Sequence, residues 1–263
     1  MKRRAFLAAA GVAVTGTAAA SLVTGGGDGD ATASALVAGS LQSVAGEVPD
    51  GSVEAHGSVT CRQYVLDDLR DPDALALADP VLFEGIAEPT LFATNALVLA
   101  GREGALPEDW RAAVRRDDVK VGRTDPQQDP LGYRTVLALR LSDLDADEHL
   151  PDMPLFPETS MLRTLESGGL DAAFCYRNMA EDHDLPYRDL PPEIDFSDPE
   201  RADEYAEVSI EVNGEAIRGA PITYGAAALT DAGEPWTESL VTGRDRLEAA
   251  GFTVPSGFPE RPR

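Results

Sequence analysis

Lysine is nearly missing from this chain. Lys2 and Lys120 are the only two, and the rest of its 22 basic residues are arginines. A phosphate-cradling loop that depends on lysine is therefore absent. Positive charge is scarce overall: 46 Asp and Glu against 22 Lys and Arg leave a formal net charge of −24 on 263 residues. Such a surface repels phosphate backbones, which argues against nucleic acid or an anionic membrane surface as a partner. Two cysteines, Cys61 and Cys175, are too few for a disulfide framework or a zinc cluster and read as small buried hydrophobes. Histidine occurs only as His56, His149 and His183, without a His-Glu-x-x-His zinc motif or a Gly-x-Ser-x-Gly elbow. His183, between Asp182 and Asp184, looks like an acid/base or metal site but reads better as a surface feature. Beyond the N-terminal leader no apolar run is long enough to cross a bilayer.

A 43% hydrophobic content supplies a real core, enough for one large domain or two lobes. Acidic, lysine-poor composition reads as adaptation to very high salt, where a Debye length of roughly 3 Å mutes the repulsion between carboxylates. The acidity then describes habitat rather than chemistry.

Residues 1–30 read as an export signal and flexible leader. Lys2-Arg3-Arg4 precedes a small apolar run from Ala8 to Val23, with Ala18-Ala19-Ala20 before Ser21 and a Gly-rich acidic stretch to Asp30. The arginine pair points to the twin-arginine route. The mature chain is expected outside the cytoplasmic membrane, either free or tethered by an uncleaved signal.

From residue 31 onward, short apolar strands alternate with amphipathic helices, the pattern of an α/β protein. Strands are expected at Ala35-Leu36-Val37, Ser52 to Ala55, Thr90 to Leu99 and Leu170 to Tyr176. A helix is expected from Val59 to Leu69, and Pro107-Glu108-Asp109 opens another. Asp129-Pro130 supplies an N-cap and a first-turn proline for a third helix, with Val136, Leu137 and Leu141 buried. Gly168-Gly169 ends a helix carrying Leu162 and Leu165, and Asn213-Gly214 marks a hairpin.

Gly39-Ser40, Gly57-Ser58 and Asp129-Pro130-Leu131-Gly132 each sit where a strand or loop passes into a helix. Helix N-termini offer unpaired N–H groups and partial positive charge, so several of them together could hold an anion without lysine. Each taken alone reads equally as capping.

An ordered set of motifs goes further. Ala38-Gly39-Ser40-Leu41, Gly57-Ser58-Val59-Thr60-Cys61-Arg62, Phe92-Ala93-Thr94-Asn95, Asp118 to Pro126 and Asp129-Pro130-Leu131-Gly132-Tyr133-Arg134-Thr135 follow one another. After them come Leu165 to Asp171, Phe174-Cys175-Tyr176-Arg177, Leu190 to Ile194 and Gly219 to Gly225. Over most of residues 35–229 this order resembles the archaeal molybdate/tungstate-binding proteins of ABC transporters. Val37 and Leu131 stand where the family usually has histidine and cysteine, and the stretches between Ser40 and Ser58 and between Arg134 and Glu158 are shortened.

The resemblance implies a type II periplasmic-binding-protein-like α/β fold, two α/β lobes joined by crossing strands. Lobe I would take residues 31–94 plus 227–263 and lobe II residues 95–226, with crossings near Phe92 to Leu99 and Ile222 to Ala228. It implies an oxyanion site made of Gly39, Ser40, Ser58, Asp129, Pro130, Leu131, Glu158 and Tyr176. Asp129 and Glu158 would bond the Mo or W atom of the oxyanion itself, a hard acceptor suited to oxygen ligands. No cofactor is implied. The cargo would be tungstate or molybdate, the partner a membrane ABC permease, and the chain a monomer rather than an enzyme. The remaining alternatives are a binding protein for another anion, sulfate or a carboxylate metabolite, and, less in keeping with the motifs, a hydrolytic enzyme.

Overall fold

The computed structural model describes residues 33–261. The export signal expected over residues 1–30, with its arginine pair, lies outside the described residues.

The strands gather into two five-stranded sheets and a hairpin. In the first sheet β1 (Ala33–Ala38) pairs in parallel with β2 (Gly51–His56) and β3 (Ala74–Leu77). The fourth strand of this sheet, β12 (Thr223–Ala228), runs antiparallel to β3 and to β4 (Thr90–Thr94). In the second sheet β6 (Val121–Thr124) pairs in parallel with β7 (Leu155–Phe156) and β8 (Ala172–Tyr176). There β5 (Leu97–Gly101) runs antiparallel to β8 and β9 (Tyr187–Asp189). Each sheet is thus three parallel strands followed by an antiparallel strand that arrives from the other sheet: β5 leads out of β4, and β12 returns from the second half. The hairpin is β10 (Ser209–Val212) with β11 (Glu215–Arg218).

The inner strands carry near-continuous apolar sequence because both faces are covered. Ala74–Leu77 and Leu97–Gly101 are buried along their whole length. Helices do the covering: α1 (Gln42–Gly46), α2 (Ser58–Leu66), α3 (Trp110–Arg115), α4 (Pro130–Leu141), α5 (Ala146–His149), α6 (Glu158–Glu166), α7 (Arg177–Asp182), α8 (Ala202–Tyr205), α9 (Glu234–Thr242) and α10 (Arg244–Ala249).

Most expected elements are present, and the differences have local causes. The Thr90 to Leu99 strand is two strands in two sheets, because Asn95-Ala96 turns the chain between them and the Ala96 N–H donates to Asn95 Oδ1 at 2.9 Å. Helix α2 stops at Leu66 rather than Leu69, where Asp68 adopts a positive φ of 54°. Helix α3 begins at Trp110 with Asp109 as its cap, so Pro107 stands outside it. Helix α4 is buried from Pro130 through Leu139, far more than one apolar stripe. Asn213 and Gly214 both take positive φ, as a type I′ hairpin turn requires. Cys61 and Cys175 are buried and unbridged. The expected boundary after residue 226 falls inside β12, all of which belongs to the first sheet. Among the described residues no helix is long and apolar enough to cross a membrane.

Candidate functional site

The parallel strands of both sheets end facing the junction between the sheets, and the helices that follow them begin there. After β1 comes the Gly39–Leu41 turn, after β2 comes Gly57 with helix α2, and after β6 comes Asp129 with helix α4. These are the three N-termini picked out in the sequence, and the fold brings them together.

Glu158, at the start of α6 in the second half, reaches across to the first. Its Oε2 accepts the Gly39 N–H at 3.1 Å and its Oε1 accepts the Ser40 N–H at 3.2 Å. Two backbone donors expected to meet an anion are therefore held by a carboxylate of this chain. A Cβ on Gly39 would lie 2.8 Å from Glu158 Oε2, so a side chain there would push that carboxyl group aside. Ser40 is itself clamped: its carbonyl accepts from Asn178 Nδ2 at 2.8 Å and its hydroxyl accepts from the Tyr224 hydroxyl at 3.2 Å. Asn178 in turn accepts from Asn95 Nδ2 at 2.8 Å, linking this loop to the crossing point between sheets.

Asp129 caps α4, its Oδ1 accepting the Gly132 N–H at 2.8 Å and the Thr124 hydroxyl at 2.7 Å. Pro130 fills the first turn, where no N–H is needed, and the Leu131 side chain is buried in the core. Ser58 Oγ accepts the Ala78 N–H at 3.1 Å, which leaves its own proton for donation. The Tyr176 hydroxyl accepts from Arg134 Nη1 at 2.8 Å and likewise keeps its proton to donate.

Asp129 and Glu158 are 2% and 3% exposed. Burial pushes Asp129 up to about 7, against the opposing pull of the Thr124 hydroxyl and the backbone N–H groups of Gly132 and Leu131. Burial pushes Glu158 up to about 8, and the nearby Asp129 charge adds to the rise. Two carboxyl groups so placed hold protons near neutrality unless a hard cationic centre takes their lone pairs. Beside Glu158 a cavity of about 350 Å³ opens toward solvent, with Gly39, Ser40, Arg163, Asn178 and His183 among its walls.

Of the eight residues named from the sequence, Gly39, Ser40 and Glu158 line this cavity; Ser58, Asp129, Pro130 and Leu131 at the starts of α2 and α4, and Tyr176 at the end of β8, are not among its walls. Sequence reasoning did not assign a role to Asp79, Tyr133 or Arg134, although Tyr133 and Arg134 belong to a motif it singled out. His183 Nδ1 lies 2.7 Å from Glu166 Oε1, a surface hydrogen bond on the cleft rim.

Residues 51–253 match the family of bacterial extracellular solute-binding proteins. This chain belongs to that family. It is 45% identical over 285 aligned positions to a provisionally named ABC transporter molybdenum-binding protein of Haloferax volcanii, covering 98% of this chain and 93% of that one. It is 34% identical to the molybdate/tungstate-binding protein WtpA of Thermococcus kodakarensis, over 68% of this chain and 63% of that one. Among solved structures, the periplasmic molybdate-binding protein of Azotobacter vinelandii superposes with a TM-score of 0.62 at 14% identity, covering 85% of this chain and 99% of that one. That likeness bears on fold alone and agrees with a two-lobed, type II solute-binding architecture. A solute-binding family also answers the enzyme alternative raised by the histidines.

Proposed function

We propose that this chain captures tungstate or molybdate between its two lobes outside the cytoplasmic membrane and delivers it, as a monomer, to an ABC permease. The observation that carries the reading is that buried Glu158 of one lobe takes the Gly39 and Ser40 N–H groups of the other, beside a second buried acid, Asp129. In this reading the hydroxyls of Ser40, Ser58 and Tyr176 hydrogen-bond the oxo groups, with the backbone at Gly39, Pro130 and Leu131 shaping the wall. Each carboxylate oxygen has more than one lone pair, so Glu158 can keep its Gly39 and Ser40 bonds and still give an oxygen to the metal atom. The tetrahedral oxyanion then expands toward six-coordination. Sulfate and phosphate do not accept such ligands, so neither gains the bonds to the central atom that would draw the protons off the two acids.

The lobes in this reading are residues 31–94 with the C-terminal segment, and the second sheet with its helices. Residues 1–30 direct export through the twin-arginine route, and replacing Arg3 and Arg4 by lysine should leave precursor inside the cell. Titration calorimetry of the purified mature chain with tungstate, molybdate and sulfate tests the assignment directly. Binding of the first two with a six-coordinate signal at the metal absorption edge is expected. Sulfate binding of equal strength sinks it in favour of a general anion carrier.

A further inference from the structure

One buried cation has no part in the function proposed so far. Arg134 is the single Lys, Arg or His in the buried set among the described residues, with 1% of its side chain exposed. It projects from helix α4 of the second lobe, and its partners lie largely in the first. Nη2 donates to Asp79 Oδ2 at 3.0 Å and Nη1 to the Ala78 carbonyl at 2.8 Å. The neighbouring Tyr133 hydroxyl donates to the same Asp79 oxygen at 2.6 Å. Asp79 is held ready, since its Oδ1 accepts the Val81 N–H at 3.2 Å as the cap of the Pro80–Phe83 turn. Burial works against the guanidinium charge, but Tyr176, Asp79 and Tyr133 outweigh it and keep Arg134 charged.

We propose that Tyr133 and Arg134 form an interlobe latch on Asp79 and the Ala78 carbonyl, and that this latch sets how long the closed clamp retains its oxyanion. The identity of the cargo rests on the function proposed above; the latch itself does not. Two features tie the latch to the site. Ala78 donates its N–H to Ser58 Oγ and its carbonyl accepts from Arg134 Nη1, which also donates to the Tyr176 hydroxyl. Helix α4 thus carries Asp129 as its N-cap and grips the opposite lobe one turn further on. Separating the lobes takes the Asp79 carboxylate away from a guanidinium and a phenol at once, which is unfavourable until water has entered to replace it. These are positioning residues, acting on lobe closure rather than touching the oxyanion.

Spin labels on Glu47→Cys and Arg163→Cys, exposed residues lining the cleft beside Glu158, report the interlobe distance, because native Cys61 and Cys175 are buried. Asp79→Asn and Tyr133→Phe should each shift that distance distribution to longer values, with or without tungstate. For Asp79→Asn tungstate should dissociate at least ~10-fold faster while the tungsten-edge spectrum keeps the parent coordination, a split that general destabilisation does not produce. Tyr133→Phe removes one hydroxyl and decides the matter should Asp79→Asn fail to fold. An unchanged distance distribution overturns the latch, as does a parent-like dissociation rate. If the parent binds neither tungstate nor molybdate, the oxyanion reading fails and the distance measurement alone decides the latch.

Discussion

Gly57 and Asp129 come from opposite lobes and stand so close that a Cβ on Gly57 would lie 2.7 Å from the Asp129 Cβ and nearer still to the Gln128 carbonyl. Beside them the Thr60 N–H donates to that carbonyl at 3.1 Å, which pins α2 of one lobe to the loop before α4 of the other. The contact is backbone against backbone, so no side-chain rotation can relieve an added methyl group. Gly57→Ala should therefore fold, because Gly57 has an ordinary negative φ of −59°, but should hold the lobes apart. We expect tungstate affinity to fall at least ~10-fold, about 1.4 kcal/mol, with a larger radius of gyration in the presence of ligand. Parent-like affinity would mean that the two loops do not need to meet for binding.

The two buried carboxylates divide coordination from hydrogen bonding. Asp129→Asn and Glu158→Gln keep shape but weaken the donor oxygen, and each should weaken tungstate binding by about 3 kcal/mol, on the order of a hundredfold in Kd. Sulfate exclusion should relax at the same time. Ser40→Ala and Ser58→Ala should cost less in affinity, about 1 kcal/mol each, since each removes a single neutral hydroxyl donor. A tetrahedral tungsten-edge spectrum in the parent would reduce both acids to caps of their loops.

Stability should depend on pH through the same pair. Folding raises Asp129 from its ordinary 3.8 to about 7 and Glu158 from 4.5 to about 8. Over that window the folded state binds more protons than the unfolded chain, so these groups destabilise it progressively as pH rises. Glu158→Gln removes one of them. In the absence of oxyanion the melting temperature of the variant, relative to the parent, should climb between about pH 5 and about pH 8 and level off above it. A gap that stays constant across that range would show that Glu158 is ionised throughout.

A charge of −24 should make the fold depend on salt. The paired charges are mostly at the surface, such as Arg116 with Asp118 and Arg201 with Glu204, and give little net stabilisation in water. The unpaired excess of carboxylates repels. Reducing KCl from molar to about 0.1 M lengthens the screening distance to about 10 Å and should lower the melting temperature markedly. A salt-independent melting curve would remove the reading of a high-salt habitat.

Helix α4 shows how much of the site is legible in the sequence. Asp129 as N-cap and Pro130 in the first turn are decided by local chemistry, so the helix start could be read directly. The same holds for Asn213-Gly214, where only a primed turn joins the flanking strands. The exposed end of α2 was less legible: Leu66 and Leu69 are apolar but stand outside the core, so apolar spacing overran the helix. Strand β3 went unread because Ala-Leu-Ala-Leu lies between acidic turns and is too short for periodicity to separate strand from helix.

Composition and local pattern alone determined the charge, the scarcity of lysine, the α/β class and the three helix starts with Gly, Ser or Asp at their entrance, because each depends on residues within a few positions of one another. Only the tertiary structure decided that Glu158 would take the Gly39 and Ser40 N–H groups, 119 and 118 residues away, and that Arg134 would find Asp79 at 55. Nothing local marks those pairs. They exist because β5 and β12 each cross into the opposite sheet, which turns the helix N-termini of both lobes toward one cleft and buries their charged groups where they must find partners.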